Sequence, residues 1–277
     1  MPYPVIAIMM FAASLSAGWN AVIKGAGNKL FMVILMTGGA GLVGALVLPF
    51  LDRPAAASWP YIVASASCSV VYYAIVARAY HLADLSQAFP LMRGSAPLLV
   101  ALTSGLVLGE RLSMAAWLGV GLICFGIICL AASARANNPK GVALALGNAV
   151  VITVYTLLDG LGVRLSGAPA AYCLWVYLLT AIPLVTWAFA RHRSEFTRYV
   201  MERPLLGLGG GIIGVGIYAT TLWAMTVAPV AIVAALRETS ILFAIAISAV
   251  VLKERVGFPR LAMVCAIAGG AMVLRLA

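Results

Sequence analysis

Apolar residues run along this chain in blocks of about twenty, separated by short clusters of charge, glycine and proline. The blocks fall near 3–23, 30–50, 58–79, 83–108, 113–132, 141–163, 170–190, 205–225, 229–252 and 259–275. Each is long enough to cross a ~30 Å hydrocarbon layer as a helix. The separators carry turn and breaker residues: Gly25-Ala26-Gly27-Asn28, Asp52-Arg53-Pro54, Asn137-Asn138-Pro139, Gly167-Ala168-Pro169 and Phe258-Pro259. The pattern predicts an all-α polytopic membrane protein with ten transmembrane helices and short connections. The one long polar connection is Arg191–Arg203, with four arginines against Glu195 and Glu202.

Composition agrees with that reading. Apolar residues make up 64% of the 277, charged residues 9%, and mean hydropathy is +1.08. Soluble domains carry about 25% charge. No cleaved leader is expected, because the first block follows Met1-Pro2 with no basic region before it. The net charge of +10 is spread over span ends with no cluster of interleaved aromatics, so anionic lipid headgroups, and no nucleic acid, are the expected partners. The five cysteines all lie inside apolar blocks, and only two histidines exist. No cofactor or metal is therefore expected. Phosphate-binding and hydrolase motifs are absent as well, so the chain reads as no enzyme. One membrane face collects twelve Lys/Arg residues and the face holding both termini only four, a bias that places the termini outside the cytoplasm.

The two halves repeat one another. An offset of 144 residues lays Arg93-Gly94-Ser95…Leu108-Gly109-Glu110-Arg111 over Arg237-Glu238-Thr239…Leu252-Lys253-Glu254-Arg255. Ten positions from Arg93 to Gly126 coincide with their counterparts, and Pro60 meets Pro204 at the same offset. The units are 1–135 and 136–277, five spans each. An odd number of spans makes the second unit enter the membrane in the opposite sense, the inverted-repeat plan of many secondary transporters.

The span layout, the two halves and the Leu-Gly-Glu-Arg and Leu-Lys-Glu-Arg motifs resemble the EamA branch of the drug/metabolite transporter superfamily over essentially the whole chain. Within it the chain is most similar to bacterial aromatic amino-acid exporters of the YddG type. The resemblance implies two EamA repeats and alternating access around a central cavity. It also implies export of a small amphipathic metabolite or amino acid across the bacterial inner membrane, with no ATPase subunit. It places both termini in the cytoplasm, the reverse of the charge count. A multidrug exporter of the same fold, or a scramblase-like scaffold without transport, are the alternatives. A central cavity lined by both halves favours the carrier, and helices packed solid to the midplane favour the scaffold.

Polar and aromatic residues inside the apolar blocks are the candidates for substrate contact, since polar groups there need partners. They are Trp19, Asn20, Tyr73, Tyr80, His81, Tyr155, Asp159, Trp175, Tyr218 and Trp223. Asp159 is the acid set well inside a long block. It could receive a substrate ammonium, or pair with Lys24 or Arg164 and lock two helices. Proton coupling would need an exposed acid in the cavity, a role open to Asp159 and Asp84. Lys24, Arg93, Arg237, Glu238, Glu110 and Glu254 are read as gating or structural charges. Arg93 and Arg237 interrupt apolar blocks near Pro90, Pro97 and Pro229, where kinks are expected. Glu110 and Glu254 sit where the helix dipole disfavours an acid, so each is expected to find Arg93 or Arg237 of a neighbouring helix end, or the backbone N–H groups that open the next span. Gly207, Gly210, Gly211 and Gly214, with Gly38, Gly39, Gly41 and Gly44, mark faces for close packing.

Overall fold

A computed structural model describes residues 3–82, 85–133, 139–250 and 258–275. These form eleven α-helices and two short 3₁₀ turns, with no strand among the described residues. The first half contributes α1 (Tyr3–Gly25), α2 (Lys29–Val47), α3 (Trp59–Leu82), α4 (Leu85–Val107) and α5 (Met114–Ser133). The second contributes α6 (Pro139–Ser166), α7 (Pro169–Glu202), α8 (Pro204–Val227), α9 (Val230–Arg237), α10 (Ser240–Val250) and α11 (Phe258–Leu274).

Local chemistry sets the boundaries. The Asn28 side chain accepts the Phe31 N–H at 3.0 Å and caps α2. Prolines occupy the first turns of α7 and α8, where their missing N–H costs nothing. After α4 and α6 the chain turns at Gly109 (φ +69°) and Gly167 (φ +66°), a left-handed conformation that suits a residue without a Cβ. Pro90 and Pro97 lie within α4 without ending it, and Pro229 caps the start of α9. The break in the second half comes later, at Glu238–Thr239, where the Thr239 hydroxyl donates to the Leu236 carbonyl at 2.6 Å. Glu238, Thr239 and Ser240 are all buried, the setting in which irregular backbone is tolerated at membrane depth.

The expected ten transmembrane helices in two inverted five-helix repeats are corrected by these helices. Among the described residues five helical segments are long and apolar enough to cross a membrane: Lys29–Phe50, Ala56–Val76, Pro139–Ser166, Pro169–Glu202 and Pro204–Val227. Apolar segments in α1, α4, α5 and α11 reach no more than 17 residues. The break at Glu238–Thr239 divides the ninth expected span into helices of 8 and 11 residues. The parity argument for opposite insertion falls with the count of ten. The Arg191–Arg203 stretch is also not a loop. α7 runs to Glu202 with a kink at His192 (φ −137°, ψ 39°), and Phe196 buries against Phe31, ring centroids 5.4 Å apart.

Packing follows a regular scheme. α2 lies against α7 and α8, α3 against α6 and α7, α4 against α5, α6 and α9, α1 against α8, α9 and α10, and α5 against α11. Exchanging α1, α2, α3, α4 and α5 for α6, α7, α8, α9/α10 and α11 maps each of these contacts onto itself or another of them, except that of α4 on α5. Glycine permits the closest approaches. A Cβ added at Gly207 or Gly210 would come within 2.7 and 2.6 Å of the Leu35 and Met36 side chains, and at Gly39 or Gly211 it would meet the facing backbone. α5 and α11 are as tight: a Cβ at Gly126 would lie 2.9 Å from Ile267, and one at its counterpart Gly270 2.8 Å from Ile123.

Candidate functional site

α1, α2, α3, α4, α6, α7, α8 and α9 converge on a cavity of about 190 Å³. Its wall is aromatic: Trp19, Tyr72, Tyr73, Tyr155, Tyr177 and Tyr218 all line it. The rings brace one another edge to face, with Tyr72–Tyr73 at 5.0 Å, Tyr72–Tyr155 at 6.2 Å and Tyr177–Tyr218 at 5.6 Å between centroids. Ser16, Asn20, Ser69, Thr180 and Thr221 add polar positions. A Cβ at Gly214 would lie 2.9 Å from the Trp19 ring, so this glycine lets the indole lie flat on α8.

Arg93 and Arg237 both reach the cavity. Arg93 Nε donates to Glu238 Oε2 at 2.6 Å, with the two side chains 15% and 4% exposed. Arg237 stands 3.9 Å from the other oxygen of the same carboxylate and donates through Nη2 to the Tyr155 hydroxyl at 3.3 Å. One acid therefore faces two arginines that the 144-residue offset relates. The counterpart of Glu238 in the first half is Gly94, and a Cβ there would sit 2.8 Å from the Ile127 side chain. Tight packing of α4 on α5 leaves no space for a second acid.

Asp159 lies behind the wall. It is 1% exposed and accepts hydrogen bonds from the Tyr172 hydroxyl at 3.3 Å and from the Tyr218 hydroxyl. Tyr218 does line the cavity. Because its proton is given to Asp159, its oxygen faces a ligand as an acceptor. The expected pairing of Asp159 with Arg164 is not formed. Arg164 donates to Glu110 at 2.6 Å and to the carbonyls of Met225 (2.8 Å) and Ala228 (3.1 Å) at the end of α8. Glu110 meets Arg164 in place of the expected Arg93 or Arg237, and it accepts the N–H of Val230, at 2.9 and 3.0 Å, so capping α9 and not the next helix in the chain. The turn at Gly109 thus moves an acid from the unfavourable end of α4 to the favourable end of α9, and Arg164 meets the C-terminus of α8 in the complementary sense.

Of the sequence candidates, Trp19, Asn20, Tyr73, Tyr155, Tyr218, Arg93 and Arg237 are brought together at the cavity. Trp175 instead packs edge to face on Trp59 at 4.8 Å, and Trp223 is 37% exposed away from it. Glu254 lies outside the described residues, as do the side chains of Lys24, Tyr80, His81 and Asp84. Sequence reasoning did not single out Ser16, Ser69, Thr180 or Thr221, nor the bond from Glu238 to Arg93. The offset itself carried a usable signal: Val33/Tyr177, Tyr73/Ile217 and Arg93/Arg237 are repeat-related pairs in which both members line the cavity. No group of three or more His, Cys, Asp or Glu side chains that could hold a metal ion occurs among the described residues.

Apolar helices of spanning length around a polar and aromatic cavity define a multi-pass membrane protein. The EamA-like transporter family matches residues 139–276, so the second half of the chain belongs to that family and the protein is a membrane transporter of the EamA kind. A crystal structure of a protein 22% identical in sequence superposes with a TM-score of 0.78, covering 100% of this chain and 99% of the other. At that identity the likeness carries the fold. No curated protein matches the chain by sequence.

Proposed function

We propose that the protein is a secondary carrier that exports a small amphipathic metabolite, with neutral and aromatic amino acids as its substrate class. The observation that carries this reading is the cavity itself, walled by Trp19 and five tyrosines with arginines alongside. At about 190 Å³ it is smaller than the ~300–1,000 Å³ of sites for drug-sized ligands. That size favours a metabolite over a multidrug cargo, and a central cavity lined by both halves favours a carrier over a solid scaffold. Residues 1–135 and 136–277 act as two related EamA units, a division supported by the self-mapping helix contacts and by the repeat-related lining pairs. Arg191, Arg193, Arg198 and Arg203 on and just beyond the outer part of α7 meet anionic lipid headgroups.

The test is counterflow in proteoliposomes loaded with a panel of amino acids. Exchange of phenylalanine, tryptophan or other neutral amino acids is expected, above the rate in protein-free vesicles. Absence of exchange across the whole panel overturns the amino-acid reading.

A further inference from the structure

The two arginines at the cavity are held unequally. Arg93 and Arg237 bring two positive charges and Glu238 one negative, and the short bond from Glu238 goes to Arg93. Arg237 keeps a 3.9 Å approach to that carboxylate and one hydrogen bond, to a neutral phenol. Its Nε is buried without a hydrogen-bond partner among the described residues. A guanidinium has five N–H donors in a planar fork that fits a carboxylate with two parallel bonds. Leaving such a group buried and underused is costly. Asp159 acts on Arg237 electrostatically, but it lies behind Tyr172 and Tyr218 and makes no hydrogen bond to the guanidinium. The vacancy is therefore an acceptor at a planar donor edge, beside aromatic walls.

We propose that Arg237 is the carboxylate-recognition residue of this cavity. A substrate carboxylate meets the guanidinium edge, while Glu238 stays bonded to Arg93 and holds the second cation out of the contact. Among the other polar groups lining the cavity, the Tyr218 oxygen has its proton committed to Asp159, so it accepts from a substrate ammonium. The inference rests on the carrier reading above and specifies which atoms of the solute the cavity reads.

Titration calorimetry of the purified protein in detergent tests it, with two acid–amide pairs as probes: phenylalanine with phenylalaninamide, and 3-phenylpropionate with 3-phenylpropionamide. Each acid is expected to bind about ten- to a hundredfold more tightly than its amide, the range of a charge-assisted hydrogen-bond pair. Arg237→Gln should bind acid and amide equally, and Arg237→Lys should keep part of the preference. The wild-type comparison needs no variant to fold. If the amides bind as tightly as the acids, or if Arg237→Gln keeps the preference, the assignment of Arg237 is overturned while the carrier reading stands. If no probe binds and none is exchanged in proteoliposomes, the amino-acid reading fails and this proposal falls with it.

Discussion

Single side chains in this protein work in groups whose membership is set by the fold. The sequence marks Asp159, Glu110, Arg93 and Arg237 as notable because each is a charge at or inside an apolar block. It does not mark their partners. Glu110 and Arg164 are 54 positions apart, and Arg93 and Glu238 are 145 apart. Only helix packing brings them together, so these pairs were not legible in the chain. Two expectations belong here. Asp159→Ala removes the acceptor of two tyrosine hydroxyls, one of them on fully buried Tyr172, and should cost about 1–3 kcal/mol. Thermal unfolding in detergent measures this, and an unchanged midpoint would show that the hydroxyls find other acceptors. Glu110→Ala removes both the cap of α9 and the partner of Arg164, and should cost about 1–2 kcal/mol. Glu110→Gln, which keeps an acceptor but loses the charge, should fall between the two.

Helices were far more legible than side-chain partners. Pro, Gly and Asn punctuate the apolar blocks, and most helix ends fall within a few residues of them. Two elements escaped. The charges of Arg191–Arg203 hide Phe196 and Tyr199, one turn apart, whose rings pack on Phe31 and keep the chain helical. The split between α9 and α10 falls at Arg237-Glu238-Thr239, a polar interruption that led to the expectation of a kink near Pro229 but not of a break beyond Arg237. Glycine faces were readable, and their use is now specific. Gly211 faces the backbone of Gly39 and Ala40, so Gly211→Leu should drive α2 and α8 apart. The expected outcome is loss of the monodisperse peak in size-exclusion chromatography, with Gly209→Leu, where a Cβ meets nothing within 4 Å, as the tolerated control.

For the whole molecule, the cavity separates residues that the sequence grouped together. Seven candidates line it, while Trp175 and Trp223 do not, because a ring inside an apolar block gives no sign of which side of its helix faces inward. In a background with the five native cysteines replaced, Trp19→Cys and Tyr73→Cys should react with a charged thiol reagent, and phenylalanine should slow the reaction. Trp223→Cys, on the outer face, should stay unreactive; equal labelling at all three positions would mean that the central cavity is not the aqueous path. One feature reaches further. Repeat-related arginines share a single acid because Gly94 has no space for a side chain. The chamber therefore has distinguishable ends although its helices interchange. A zwitterion held by its carboxylate at Arg237, by its amine at the Tyr218 oxygen and by its ring along the tyrosines touches three points not on a line. Mirror-image molecules cannot both satisfy three such points, so one enantiomer of phenylalanine should outcompete the other by about tenfold. The handedness of the cargo would then trace back to one missing methyl group.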